Sequence, residues 1–193
     1  MRAIAAVTSS LLVLAMIPAK AQEAPSLTPA ETALHQAAYA GDLAMVTRMV
    51  VEQGIAVDVA DNEKHTPLMW ASFNGHTAVV EYLIEHKAKV NALDVNGRNA
   101  LMYASSGPFA ETVGLLINKG SSVNVQGKLE GFTALMTAAA EGQLEVVRVL
   151  LQHGADPALK DEDDDTAESF ALEKGHSAVV ELLRNPPPRI ATP

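Results

Sequence analysis

Histidine and a run of acidic residues are the groups in this chain that could support chemistry. The 193 residues include six histidines and no cysteine. No two histidines stand four residues apart, and the H-E-x-x-H sequence of helical zinc sites does not occur. The lack of cysteine also excludes thiol redox chemistry, thiolate metal ligands and a cysteine nucleophile. We therefore expect neither a metal site nor a cofactor.

The sharpest charge cluster is the acidic run at 161–165, which reads DEDDD. Its alternate acids are spaced like the first ligands of a calcium-binding loop. Thr166 stands where that loop requires glycine, however, and Leu172 stands where its bidentate glutamate should be. Two interpretations of the run remain open: a solvated acidic turn, and a docking site for a basic partner.

Other catalytic signatures are also missing from the sequence. Serines occur without the G-x-S-x-G elbow of a hydrolase, and no glycine-rich phosphate loop is present. The Gly107-Pro108 pair belongs to a turn inside a repeating unit. We predict that the protein is not an enzyme.

The elements that must position these side chains repeat about every 33 residues. Thr32, Thr66, Asn99, Thr133 and Thr166 occupy equivalent positions, with steps of 34, 33, 34 and 33 residues. Leucine follows two residues later in four of the five copies, and glycine follows nine residues later in four. A fixed period of this length predicts a solenoid, in which each unit buries its apolar face against its neighbours.

The second copy predicts two helices joined by a turn. Thr66-Pro67 favours a helix start, because threonine caps free N–H groups and proline fits the first helical position. Asn74-Gly75 favours the end of that helix, since glycine adopts positive φ without steric cost. The segment 79–84 then carries the apolar stripe of a second helix.

These segments resemble the ankyrin repeat, a turn followed by two antiparallel helices. The first-helix motif reads TALHQAAYAGD at 32–42, TPLMWASFNGH at 66–76 and TALMTAAAEGQ at 133–143. The second-helix ends AVVEYLIEHKAKVN at 78–91 and EVVRVLLQHGADP at 145–157 also fit the family. The resemblance implies an all-α ankyrin repeat solenoid of about five helix-turn-helix repeats, with short turn or β-hairpin fingers.

The repeat domain is predicted to cover residues 29–184. Its five repeats lie at about 29–60, 61–93, 94–126, 127–160 and 161–184. Copy one begins with a Thr28 to Glu31 capping box, which suits an N-terminal cap, and a one-residue insertion near 52–55 lengthens its second helix. Gly107-Pro108 distorts the interhelix turn of copy three. Glu168 and Phe170 replace the usual residues of copy five, which therefore resembles a C-terminal cap.

Both ends of the chain are predicted to lie outside the repeats. Arg2, the apolar run 3–17 and the small residues before Ala21 predict a secretory signal peptide at 1–21, cleaved after Ala21. The run is short for a bilayer span of about 20 residues. A lead-in at 22–28 follows, and a Pro-rich disordered tail occupies 185–193. The signal indicates a bacterial periplasmic protein, with secretion as the alternative.

The predicted mature chain is strongly acidic. Loss of residues 1–21 removes two of the 14 basic residues and none of the 23 acidic ones, which leaves 12 against 23 and a net charge of −11. This charge disfavours nucleic acid, whose binding depends on neutralising phosphates, and it disfavours anionic membranes. It is compatible with a basic protein partner, although acidity could serve solubility alone. The capped ends favour a monomer.

The resemblance implies a binding surface made of the turn fingers and the exposed face of the first helices. Aromatic side chains, which interface hot spots favour, are concentrated there. Phe132 is expected to be exposed on a fingertip and His65 on a turn tip, whereas Trp70 and Tyr103 could equally fill the core. The predicted protein-binding residues are Tyr39, Asn62, Glu63, His65, Trp70, Phe73, Asn74, Asn96, Arg98, Tyr103, Phe132, Glu141, Asp163 and Asp165.

Two functions follow from this surface. The first is a periplasmic module that binds one protein partner and supports or regulates it; exported ankyrin proteins of similar type include some linked to peroxide defence. The second is an immunity or inhibitor protein that blocks a toxin or hydrolase acting in the periplasm.

Overall fold

The computed structural model describes residues 27–190. The predicted signal peptide, most of the lead-in and the last three residues of the tail lie outside this range. Within it the chain forms ten α-helices in five antiparallel pairs, and no strand is present. The all-α repeat solenoid is therefore confirmed, and of the two expected finger forms, turn and β-hairpin, the described residues show hydrogen-bonded turns.

The first helix of each repeat faces one side of the molecule, and the second helix forms the other layer. The first helices are α1 (Pro29–Ala40), α3 (Pro67–Phe73), α5 (Ala100–Ala104), α7 (Ala134–Ala140) and α9 (Ala167–Glu173). The second helices are α2 (Leu43–Thr47), α4 (Thr77–Glu85), α6 (Ala110–Asn118), α8 (Leu144–Gln152) and α10 (Ser177–Arg184). Each helix packs on its partner and on the equivalent helix of the next repeat, so two parallel rows enclose the core.

Side-chain caps fix where the first helices begin. Thr66, Asn99, Thr133 and Thr166 each accept a hydrogen bond from the backbone N–H three residues later. In copy one the cap is Thr28, whose backbone N–H in turn donates to Glu31, so the predicted capping box is present. Because α1 starts at this earlier cap, Thr32 lies inside the helix.

One apolar core runs through all five repeats. Small alanines such as Ala71, Ala104 and Ala138 are fully buried between the two rows and let the helices approach closely. Leu34, Leu68, Leu101 and Leu135 stand at the repeated leucine position and are also buried. The periodic residues of the sequence are thus the residues that bury apolar surface between repeats.

The extra residue of copy one is absorbed by a π-helical segment. Helix α2 continues directly into a π-helical turn at Arg48–Glu52. The equivalent helices α4, α6 and α8 are instead regular over nine residues each. An inserted residue is accommodated in this way because one wide turn keeps the flanking helix in register. The insertion is therefore expressed within 48–52, slightly earlier than the predicted 52–55.

Copy three departs from the repeat at its interhelix turn, as expected. Helix α5 has five residues, and a succession of turns carries the chain through Gly107-Pro108 to α6. Phe109 takes the place that His76 and His176 occupy in copies two and five. The Phe109 ring lies against Gly75 of the preceding repeat and against Gly107. A Cβ added to either glycine would overlap this ring.

The fingers are tight turns that also bond to one another. Asp61 accepts backbone N–H groups from Glu63 and His65 through one carboxylate oxygen, and Asp161 closes the last finger in the same way. Successive fingers are linked by single backbone hydrogen bonds: from Val95 N–H to the Glu63 carbonyl, from Lys128 to Asn96, and from Glu162 to Glu130. The row of fingers therefore extends across four repeats.

Beyond α10 the chain is not helical up to Ile190. Three consecutive prolines follow Asn185, and they cannot donate the backbone bonds of a helix. The Ile190 N–H nevertheless donates to the Gln152 carbonyl at the end of α8, 2.8 Å away. No helix within residues 27–190 is long and apolar enough to cross a membrane.

Candidate protein-binding surface

Four aromatic residues of the first three repeats form a continuous cluster on the first-helix face. Tyr39 contacts the edge of Trp70 with ring centroids 5.9 Å apart, and it stacks on Phe73 at 6.4 Å. Tyr103 joins the cluster through Trp70 at 6.5 Å and Phe73 at 6.3 Å. Tyr39 is 48% exposed and Phe73 38% exposed, while Trp70 and Tyr103 are half-buried. We call these four residues the aromatic face.

His65 lies beneath the aromatic face, not at a turn tip as expected. Its side chain is buried, and its Nδ1 donates to the Asp61 carboxylate at 2.9 Å. Its ring contacts Trp70 at 4.8 Å and Tyr103 at 5.9 Å, and its carbonyl accepts a hydrogen bond from His35 Nε2. The prediction missed this because the Asp61 carboxylate turns the histidine inward once the finger closes.

Asp94 is the buried charge that organises the second finger. It accepts hydrogen bonds from the Arg98 backbone N–H, from Arg98 Nε at 3.0 Å and from the Tyr103 hydroxyl at 2.7 Å. Burial alone would raise the pKa of Asp94, but these donors together lower it. Burial, with the hydrogen bond to this carboxylate, raises the pKa of Tyr103. The carboxylate thus fixes one aromatic residue and one cation of the surface.

The predicted finger residues divide into solvent-facing and supporting groups. Asn62, Glu63 and Asp163 are exposed, whereas Asn96, Arg98 and Asp165 are half-buried. Arg98 lies over the Tyr103 ring, 5.1 Å from its centroid, with its side chain 42% exposed. A guanidinium held by both a carboxylate and an aromatic ring is ordered before any partner arrives.

Phe132 is half-buried, which differs from the exposed fingertip that the sequence suggested. Its ring meets the edge of Phe170 from the next first helix, with centroids 5.1 Å apart. The third finger is longer by one residue, and its exposed tip is Leu129, which is 66% accessible. Phe170 was predicted only as part of a C-terminal cap, although its register position matches Trp70 and Tyr103 and could have indicated this place.

The remaining two predicted residues lie between neighbouring first helices. The Asn74 side chain donates to the Tyr39 carbonyl at 2.7 Å, so it joins copies one and two while remaining partly accessible. Glu141 is exposed at the end of α7. Both positions border the first-helix face, and their role in binding remains a prediction.

Three shallow grooves follow one another along this face. The first, of about 390 Å³, lies between Tyr39, Trp70 and Leu27. The second, of about 360 Å³, lies between Phe73, Tyr103, Arg98 and the third finger. The third, of about 290 Å³, lies between Phe132, Phe170 and Glu141. Open grooves of this kind suit side chains projecting from a protein partner better than an enclosed substrate.

The described part of the chain holds no group of three or more histidine, aspartate or glutamate side chains placed to bind a metal ion. The acidic finger uses the Asp161 carboxylate to close its own turn, and Asp164 pairs with Lys160 at 3.1 Å. The arrangement can therefore position apolar and charged groups against another surface, which is the chemistry of recognition.

Stacked pairs of antiparallel helices joined by protruding turns define a class of helical repeat proteins built to bind other proteins. The profile described as "Ankyrin repeats (3 copies)" matches residues 1–94, 34–127 and 101–190. The chain belongs to the ankyrin repeat family. Ankyrin repeat domains generally mediate protein–protein interaction and are typically not enzymes.

Similar proteins come from fungi and a nematode. Ankyrin repeat protein nuc-2 of Neurospora crassa is 36% identical over 135 residues, which cover 69% of this chain and 13% of that protein. Ankyrin repeat and KH domain-containing protein mask-1 of Caenorhabditis elegans is 31% identical over 69% of this chain and 6% of its own length. Ankyrin repeat domain-containing protein SAT10 of Stachybotrys chartarum is 30% identical over 83% of this chain and 8% of its own length. The chain thus spans a small part of each relative.

Proposed function

We propose that this protein is a non-enzymatic module that binds one protein partner through the aromatic face and the adjacent fingers. The observation that supports this is the continuous contact of Tyr39, Trp70, Phe73 and Tyr103 on an accessible surface. Large exposed apolar groups cost solubility in a free protein and favour burial by a partner. Tyrosine and tryptophan are also the residues most enriched at interface hot spots.

Hydrogen bonds within the protein hold parts of the aromatic face in position, which supports the proposal. Tyr103 is held by Asp94, and the Tyr39 carbonyl accepts bonds from Asn74 at 2.7 Å and from His76 at 3.0 Å. Side chains already fixed in place lose less conformational entropy when a partner packs on them. The surface therefore favours a specific partner with a matching shape.

We further propose that the module acts in the periplasm as a monomer and that its partner is basic. The proposal of location rests on the predicted signal peptide at 1–21, and the basic partner follows from the acidic mature chain. Whether binding supports the partner, as in peroxide defence, or inhibits it, as in immunity to a toxin, is decided by the partner's own activity.

The test is affinity capture with residues 22–193 as bait, from a periplasmic extract of the source organism, followed by mass spectrometry. We expect one stoichiometric partner, whose Kd then rises at least about tenfold when Tyr39→Ser and Phe73→Ser are combined. The matched control is Leu43→Ser with Val51→Ser, which removes two exposed apolar groups from the second-helix layer of copy one. Circular dichroism should show that both variants remain folded.

The proposal would be overturned if the Tyr39→Ser, Phe73→Ser variant bound the captured partner as tightly as the parent. Loss of binding in the control variant alone would move the interface to the second-helix layer. Assay of the partner with and without the module then separates the two roles, because a support protein preserves activity and an inhibitor abolishes it.

A further inference from the structure

The third groove has a chemistry that the other two lack. Phe132 of the third finger and Phe170 of α9 form its apolar floor, and Thr137 and Ala140 of α7 form one wall. Glu141 and Glu173 stand at its rim, at the ends of adjacent first helices. We call these six residues the C-terminal groove.

The rim of the C-terminal groove carries excess negative charge. Lys174 is its single cation, and its Nζ lies 2.8 Å from the Glu173 carboxylate. That hydrogen bond raises the pKa of Lys174, and Glu141 adds to the effect through its charge. Glu141 is exposed and makes no ion pair within residues 27–190. One carboxylate at the rim is thus available to a second cation.

We infer that the C-terminal groove receives an arginine or lysine side chain of the protein partner. This inference rests on the proposed function. The methylene stem of such a side chain would pack on the Phe132 and Phe170 rings, and its charge would reach the rim carboxylates. Arginine fits better than lysine, because its planar guanidinium stacks on aromatic faces and can bridge two carboxylates.

The same charge pattern argues against the obvious alternatives. An acidic side chain would meet Glu141 and Glu173, and a purely apolar one would leave both carboxylates facing an apolar surface. The neighbouring finger adds exposed acids at 162–164, so the approach to the groove is negative as well. The second groove, by contrast, is lined by Arg98 as well as Glu130, so it carries no excess of negative charge. The partner should therefore place its basic residue toward the C-terminal repeats.

The test uses the isotope-labelled protein and two small probes followed by NMR. Acetyl-arginine amide should give saturable shifts at the amides of Glu141, Phe170 and Glu173, whereas acetyl-citrulline amide, its neutral isostere, should bind about three- to tenfold more weakly. Glu141→Gln with Glu173→Gln should weaken arginine binding by a similar factor. Lys174→Gln removes the competing cation and should strengthen it about two- to fivefold.

The matched control is Glu81→Gln with Glu111→Gln, an equal change of charge on exposed second-helix positions. We expect arginine binding to this variant to remain within about twofold of the parent. Equal binding of arginine and citrulline, or unchanged binding in Glu141→Gln with Glu173→Gln, would overturn the inference. If partner capture were weakened by Tyr39→Ser with Phe73→Ser but not by Glu141→Gln with Glu173→Gln, the proposed function would hold and this inference would be wrong.

Discussion

At the scale of single residues, Asp94 is the side chain on which the surface most depends. Its carboxylate is inaccessible to solvent, and it holds the finger backbone, the Arg98 guanidinium and the Tyr103 hydroxyl at once. A buried charge is tolerated only when such donors replace water. Removal of the charge should therefore disturb both stability and the aromatic face.

Asp94→Asn should lower the free energy of unfolding by about 1–3 kcal/mol at neutral pH, because an amide cannot satisfy donors that now surround a carboxylate. The lowered pKa of Asp94 means that ionisation favours the folded state. Its contribution is present above the unfolded value of about 3.9 and is lost as pH falls through the folded value. Urea denaturation at neutral pH and at about pH 3.5 checks this.

The control for that experiment is Asp163→Asn, which removes an exposed finger carboxylate. Within residues 27–190 the Asp163 backbone N–H donates to Asp161, whereas its carboxylate makes no hydrogen bond or ion pair. We expect its effect to stay within about 0.5 kcal/mol at either pH. If the difference between parent and Asp94→Asn did not shrink at low pH, the carboxylate would not be the group that responds.

At the scale of elements, three of the four junctions between described repeats contain a ring packed on a glycine of the preceding repeat. The His76 ring lies over Gly41 and donates to the Tyr39 carbonyl at 3.0 Å, and His176 repeats the arrangement over Gly142 with the Ala140 carbonyl. Phe109 substitutes for the histidine over Gly75. These glycines have positive φ, and a Cβ would overlap the ring of the next repeat.

Gly75→Ala should therefore cost more than Gly175→Ala. Both glycines have positive φ, at 67° and 77°, so each substitution carries a backbone cost of about 1–2 kcal/mol. At Gly75 the new Cβ also meets Phe109, whereas at Gly175 the space is open. We expect an additional loss of about 1–3 kcal/mol for Gly75→Ala in urea denaturation. Equal losses for the two variants would show that the Phe109 ring can move away from an added Cβ at Gly75 without cost.

Element positions were predictable because their signals are local. Thr66 and Gly75 mark the start and end of one helix within ten residues, and the capping box of Thr28 needs only Glu31. The surroundings of Phe132 and His65 were not predictable in the same way. Phe132 meets a helix of the following repeat, and His65 is turned inward by Asp61, so both environments depend on how a finger closes.

At the scale of the whole molecule, stability is distributed along a row in which each helix packs on its neighbours. No helix of copy one packs substantially on copies four or five. Stability of such an array is close to a sum over repeats and their interfaces, so damage at one end need not unfold the other. The predicted C-terminal cap matters here, because among the described helices α10 packs substantially only on α8 and α9.

Leu183→Ala should unfold copy five at a lower urea concentration than the rest. Leu183 is 6% exposed, and its truncation should cost about 2–5 kcal/mol. Trp70 is the single tryptophan and lies in copy two, so its fluorescence reports the opposite end. We expect part of the circular dichroism signal of the helices to be lost at a lower urea concentration than in the parent. The midpoint of the Trp70 fluorescence transition should move little. Coincident shifts in both signals would mean that the five repeats unfold as one unit.

The histidine junctions at Gly41 and Gly142 use the same atoms, with a histidine Nε2 3.0 Å from a carbonyl oxygen, although they lie three repeats apart. A gene that encodes such units can lose or gain them by recombination between like segments without creating a mismatched junction. Joining Gly75 directly to His176, for example, would bring a histidine back over Gly41. The number of repeats can therefore change during evolution while the contacts at each junction are preserved.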